Sequence, residues 1–379
     1  MTPSPSWFSI DECDIREFAA IVEQPVLVED YPHASCVEQG VLIYETSTIR
    51  AAAGESRSRH ELLGELATAL ADGPGVVLLP RAFDDEAVLD RATEVFRRII
   101  AKEKATGMAA GDHFAAAGAN DRVWNALEKL AVVDPDTFVR YYANDVLALV
   151  CEAWLGAGYQ VTSQINQVNP GGKAQSPHRD YHLGFQSPQS AEAYPAHVHR
   201  MSPALTLQGG IAHDDVPLEA GPTFLLPNSQ KYGPGYLASG LPEFREYSER
   251  MAVQIPFAKG DAVFFNPALF HGAGSNLTTN TQRLVNLLQV SSPFGRAMES
   301  VDRQRIVASI YPSLLAFKAG GAPDGLLRNA VAASAEGYAF PINLDVNPPE
   351  GSHAPPAQAD IVLQALDESW SVEELLTRI

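Results

Sequence analysis

The sequence is poor in cysteine and in positive charge. Its 379 residues include only Cys13, Cys36 and Cys151, odd in number and far apart. That pattern argues against a disulfide framework and fits a reducing compartment. No Cys-x-x-Cys pair occurs, so neither a zinc knuckle nor a redox dithiol is indicated. Lys and Arg total 27 against 46 Asp and Glu, a formal charge of -19. Nucleic acid normally requires a basic footprint, and an anionic membrane surface favours one, so both partner classes are disfavoured. No apolar run approaches the roughly 18 residues of a membrane span. The opening Met-Thr-Pro-Ser-Pro-Ser-Trp lacks the basic and apolar regions of a secretory signal. These absences predict a cytoplasmic protein with a small-molecule substrate and leave its oligomeric state open. In that compartment the sequon Asn276-Leu277-Thr278 is a chance match.

What is present is an ordinary globular balance, 46% hydrophobic and 19% charged. The length suits one large domain or two ordinary ones at roughly 150 residues each. Apolar residues recur at three- and four-residue spacing over Asp11–Glu23 and Ser58–Ala71, which predicts helices. Gly75–Pro80 reads as a short buried strand. Asp84-Asp85-Glu86 then opens a helix to about Lys104, acids in a first turn suiting the helix dipole. Gly- and Ala-rich Ala110–Asn120 predicts a loop, and Asp136–Leu155 another helix. From Tyr159 the texture changes to short strands: Tyr159–Val168, Ala204–Ala212, Thr223–Leu226, Val253–Pro256, Ala262–Asn266 and Arg283–Val290. Pro, Gly and Asn punctuate them, a spacing that predicts a β-sandwich or jelly roll rather than βα units. Helix returns over Ala297–Lys318, then a Pro-rich loop, Asn347–Pro356, and an amphipathic segment, Ile361–Ile379. No internal repeat is visible.

Most of the ten histidines need no functional explanation. The informative ones lie in two stretches. In Ser176-Pro-His-Arg-Asp-Tyr-His182, extended backbone projects residues i and i+2 to one side, so His178 and Asp180 can offer imidazole and carboxylate to one ion. In Phe257–His271, turn and strand lead to a histidine followed by Gly272-Ala-Gly274, well placed at a barrel mouth. Twelve residues on, Arg283 opens the next strand, and an antiparallel return brings its guanidinium alongside. Two histidines and one carboxylate form the facial triad of non-haem Fe(II) oxygenases, and a buried Arg suits a dicarboxylate.

These stretches resemble the phytanoyl-CoA dioxygenase-like family of Fe(II)/2-oxoglutarate-dependent oxygenases. The matching segments are Pro177–Asp180, Glu219–Gln230, Lys259–Asn266, His271–Asn276 and Arg283, in order and spacing. Gly75–Pro80 with Phe83-Asp-Asp-Glu86 resembles the family's N-terminal strand and helix. The resemblance implies a fold that is mainly β with flanking helices around a double-stranded β-helix (jelly-roll, cupin-like) core. It divides the chain into a helical extension over 1–70, an oxygenase domain over 71–295 with core strands at about 159–295, and a C-terminal helical extension over 296–379. It implies iron held by His178, Asp180 and His271, with Arg283 on the distal carboxylate of 2-oxoglutarate. Ser275, Gln208 and Gln167 are further candidates for that pocket. The implied reaction uses Fe(II), 2-oxoglutarate and O2, releases succinate and CO2, and oxidises a C–H bond. Halogenating relatives replace the carboxylate with Gly or Ala; Asp180 therefore favours hydroxylation, or a desaturation or ring closure. Where the family often has Gly-Ser-His this chain has Asn228-Ser229-Gln230, a departure at a turn beside the core.

Competing readings are a metal-dependent cupin-type enzyme without 2-oxoglutarate, in which Arg283 is dispensable, and a non-catalytic binding member of the fold. His178 and His182 do not form a His-Glu-x-x-His site, since Pro177 and Gly184 oppose helix and no Glu follows. Tyr181 and His182 line the substrate side or pack. His197-Val-His199 reads as a solvated loop or substrate contact rather than a cupin-type metal site, and His213-Asp-Asp215 as a decoy by position. Arg97, Arg98, Lys102 and Lys104 read as a solvated helix face rather than a coenzyme A site.

Overall fold

The computed structural model describes residues 5–107, 118–180, 183, 186–346, 348–349 and 351–379. Among them, strands β1 (Cys36–Glu38), β2 (Val41–Ile43), β3 (Val76–Leu79), β4 (Asn120–Val123), β5 (Gln160–Val168), β6 (Thr206–Ala212), β7 (Phe224–Leu226), β8 (Val253–Gln254), β9 (Ala262–Phe265), β10 (Phe270–Gly272) and β11 (Arg283–Ser291) form two sheets. The larger runs β1-β2-β3-β9-β6-β11-β5-β4, and the smaller β10-β7-β8. Pairing is antiparallel except between β2 and β3, where Leu42 faces Val77. Isolated bridges at His178↔His271 and Val216↔Phe257 extend the ladder pairing beyond the named strands. A cavity separates the two sheets.

Strand alternation sorts the large sheet into two faces. Val161, Ile165, Leu207, Ile211, Phe264, Leu284 and Leu288 belong to the main apolar core beneath the helices. Gln164, Asn166, Gln208, Gly210, Val263, Phe265, Arg283, Val285 and Gln289 line the cavity. One hydrophobic core takes Leu62 and Leu66 from the N-terminal part, Phe96, Tyr141 and Ile165 from the middle, and Ile310, Tyr311 and Val362 from the C-terminal part. The three predicted segments are therefore packed into a single body.

Helices hold 45% of the described residues and strands 16%, so the expectation of a mainly β chain is corrected to a large mixed sheet with helices. The physical reason is the sheet's apolar outer face, which requires a covering layer. Residues 1–70 are not only helical, since β1 and β2 join the large sheet beside β3. The predicted Asp136–Leu155 helix is two, Pro135–Tyr142 and Asp145–Leu155. Asn144 breaks it, its Oδ1 capping Leu147 N–H at 2.9 Å while its Nδ2 donates to Ala82 O at 2.8 Å. His197 and His199 sit in a helix, Ala196–Ala204, not a loop. The predicted loop Ala110–Asn120 lies outside the described residues up to 117, and Tyr181 and His182 lie outside them too. No helix among the described residues is long and apolar enough to cross a membrane.

Candidate metal centre

The segment carrying His178 and Asp180 runs antiparallel to β10. His178 and His271 exchange backbone hydrogen bonds of 3.0 and 3.1 Å, and Asp180 N–H donates to Pro267 O at 3.0 Å. Directly paired residues project to one side of a sheet, and alternate residues of one strand share it. His178, Asp180 and His271 thus all line the cavity. Their ligand atoms lie within 4.8 Å of one another. His178 Nε2 is 3.6 Å from Asp180 Oδ1, and His271 Nε2 is 3.5 Å from Asp180 Oδ2.

Local backbone orients both imidazoles. His178 Nδ1 donates to Ser176 O at 2.9 Å and His271 Nδ1 to Leu269 O at 2.8 Å. A carbonyl accepts only from N–H, so each Nδ1 is a donor and each Nε2 is turned towards Asp180. Gln208 Nε2 donates to Asp180 Oδ2 at 2.7 Å and to Gln289 Oε1 at 3.2 Å. Burial by itself raises the Asp180 pKa. The hydrogen bond to His271, the two imidazoles' charge and the Gln208 amide outweigh it and hold the carboxyl well below its usual range. Asp180 Oδ1 is buried and has no hydrogen-bond partner among the described residues. A buried carboxylate with an orphaned oxygen, beside two imidazole Nε2 atoms, is a donor set that a divalent cation satisfies, so these residues fit Fe(II).

The cavity measures about 800 Å³. Arg283 opens β11 and is 5% exposed. Its guanidinium donates to Ala220 O at 3.4 Å, and no described carboxylate pairs with it. Burial pushes its pKa down to about 10. A buried cation with so little compensation is costly, by several kcal/mol, and a bidentate carboxylate ligand would relieve it. The carbonyl it reaches is held by the adjacent Gly221, at φ +72, where a Cβ would stand 2.2 Å from Ser275 O. Glycine lets the Glu219–Pro222 turn lie against the Gly274-Ser275 backbone.

The other predicted site residues separate. Gln208 lines the cavity but serves Asp180. Gln167 is corrected: it falls on the opposite phase of β5, its Nε2 bound to Asp121 Oδ2 at 3.0 Å and absent from the cavity wall. Ser275 is likewise no part of that wall; its Oγ accepts from Ala174 N–H at 2.8 Å. Residues that sequence reading missed include Gln164 and Asn166, the inward pair on β5, and Gln289, set opposite Gln208 by the β6–β11 register. Gln175 also lines the cavity, its Oε1 accepting from Ala273 N–H at 3.1 Å. Arg122 lies 4.9 Å over the Trp124 ring, and its Nε and Nη2 donate to Gln164 Oε1 at 3.1 and 2.7 Å.

The decoys have structural partners. His199 is buried with Nε2 on Ala191 O at 3.1 Å. His213 is buried between Thr93 Oγ1 and Tyr141 Oη, at 2.8 and 2.9 Å. Arg97 pairs with Asp214 and Lys104 with Asp121.

Among curated proteins, no sequence matches this chain significantly. Solved structures similar to it include the non-heme alpha ketoglutarate dependent carbocyclase SnoK from nogalamycin biosynthesis. It is 19% identical with a TM-score of 0.45, covering 62% of this chain and 87% of that one. The epimerase SnoN, in complex with Fe3+, alpha ketoglutarate and nogalamycin RO, is 21% identical with a TM-score of 0.43 over 62% and 85%. HygX from Streptomyces hygroscopicus, with nickel, 2-oxoglutarate and hygromycin B bound, is 16% identical with a TM-score of 0.41 over 62% and 90%. The family model described as phytanoyl-CoA dioxygenase (PhyH) matches residues 71–284, more than half of the chain. The chain therefore belongs to the phytanoyl-CoA dioxygenase family of Fe(II)- and 2-oxoglutarate-dependent oxygenases.

Proposed function

We propose that this oxygenase hydroxylates an unactivated C–H bond of a small organic substrate, with release of succinate and CO2. The carrying observation is one cavity holding both a two-histidine, one-carboxylate cluster and a buried guanidinium without a carboxylate partner. His178, Asp180 and His271 would hold Fe(II), which with 2-oxoglutarate and O2 supplies the oxidising power for C–H cleavage. Arg283 would pair with the distal carboxylate of the 2-oxo acid, fixing its orientation. Gln208 holds Asp180 in place, and the backbone carbonyls of Ser176 and Leu269 hold the imidazoles. An intact Asp180 favours hydroxylation over halogenation.

The cupin-type reading without 2-oxoglutarate leaves Arg283 an unexplained buried charge, and a pure binding role leaves Asp180 Oδ1 unexplained. The test is iron content and 2-oxoglutarate-dependent succinate release, including the slow release without a second substrate. His178→Ala and Asp180→Ala are expected to lose both iron and succinate release. Full activity in either variant would overturn the assignment.

A further inference from the structure

Arg179, between the two metal-site residues of the His178-Arg-Asp180 segment, faces away from the cavity and is 2% exposed. It has no ion-pair partner among the described residues. Its Nη2 donates to Ser229 O at 2.5 Å and to Tyr232 O at 2.9 Å. The guanidinium carbon lies 5.1 Å from the Phe270 ring centroid and 5.3 Å from that of Tyr236. Nε has no hydrogen-bond partner among the described residues. Gly235 makes room for it, since a Cβ there would stand 1.9 Å from the guanidinium carbon. The turn it grips serves the other ligand strand as well. Ser229 Oγ accepts from the backbone N–H of Phe270, the residue before His271, at 2.8 Å. Tyr236 Oη donates to the carbonyl of Asp180 at 3.3 Å.

A guanidinium buried among carbonyls and ring faces is costly, and an apolar side chain of similar volume would fill the space with less desolvation. What it adds is geometry. Its rigid planar fork ties the strand of His178 and Asp180 to the turn that also anchors Phe270 and His271. We propose that Arg179 is a positioning residue, a clamp that holds the two ligand-bearing segments at coordinating distance before a metal arrives. The inference rests on the metal centre proposed above.

The experiment is Co(II) titration of the apoprotein, read by visible d–d absorption, with thermal unfolding of the same samples. Arg179→Met is expected to weaken Co(II) binding about ten- to hundredfold while the unfolding midpoint stays level or rises. Arg179→Lys keeps the charge without the fork, and Gly235→Ala displaces the fork; both are expected to weaken binding and change the Co(II) spectrum. Folded Arg179→Met with wild-type affinity and spectrum would overturn the clamp. If Arg179→Met does not fold, the other two decide, and wild-type binding in both would make Arg179 merely structural. Wild-type protein that takes up no Co(II) would instead fail the metal-centre reading.

Discussion

At the scale of single residues, the site opposes two kinds of buried charge. Asp180 is compensated by imidazoles, an amide and the place for a cation, whereas Arg283 reaches one carbonyl. Removing Arg283 therefore costs binding rather than folding. Arg283→Met is expected to weaken 2-oxoglutarate binding to the metal-loaded protein about a hundredfold, in the range for a buried charge pair. Its unfolding midpoint should not fall, because an uncompensated cation has left the core. Calorimetric titration with 2-oxoglutarate and a thermal scan measure the two effects; unchanged affinity would remove Arg283 from the cosubstrate site. His178, Asp180, His271 and Arg283 were singled out by spacing taken together with the family resemblance, because i, i+2 geometry and an antiparallel return act over short distances. Gln167 went astray because Ser163 and Gln167 on β5 are as polar as Gln164 and Asn166, so polarity alone does not set the strand's phase.

At the scale of elements, His213 joins the end of β6 to two helices. Thr93 Oγ1 donates to Leu89 O at 2.7 Å, so it accepts from His213 Nδ1–H. Tyr141 Oη accepts from Asn286 Nδ2 at 3.1 Å and donates to His213 Nε2. This directed chain requires neutral imidazole. Burial, with Arg97 and Lys259 nearby and Asp90 opposing them weakly, pushes the His213 pKa down to about 3. The unfolded chain takes up its proton near pH 6.5, so the His213 contribution is complete above that pH. It is lost as pH falls towards 3, at about 1.4 kcal/mol per pH unit. Between pH 6.5 and 5 the wild-type unfolding midpoint should fall more steeply than that of His213→Gln; parallel curves would refute this role. The predicted core strands of this region reappear because period-two patterning survives in short segments. Strand β4 was hidden because Asn120-Asp121-Arg122 carries no apolar residue until Val123. The helix of His197 and His199 was masked by Pro195 and Pro203, one at its N-cap and the other in its last turn.

At the scale of the whole molecule, the helical segments flanking the matched region complete the core. Ile306, Ile310, Tyr311, Leu314, Val331, Val362 and Leu366 are buried in the same cluster as the large sheet. At about 1.5–3 kcal/mol per buried side chain, their loss, about 10–20 kcal/mol, is comparable to the whole of the 5–15 kcal/mol that typically holds a domain folded. A chain ending at residue 295 is expected to show no cooperative thermal transition; a sharp one would contradict this shared core. Composition alone did not reveal this, since the helices' apolar faces are readable but not the surface they cover. The most direct test of the central claim is anaerobic titration of the Fe(II)-loaded protein with 2-oxoglutarate, followed by the weak visible metal-to-ligand band of the chelate. The band should appear in the wild type and be lost in Arg283→Met at the same 2-oxoglutarate concentration. Iron binding without the band in the wild type would contradict a 2-oxoglutarate site built on His178, Asp180, His271 and Arg283.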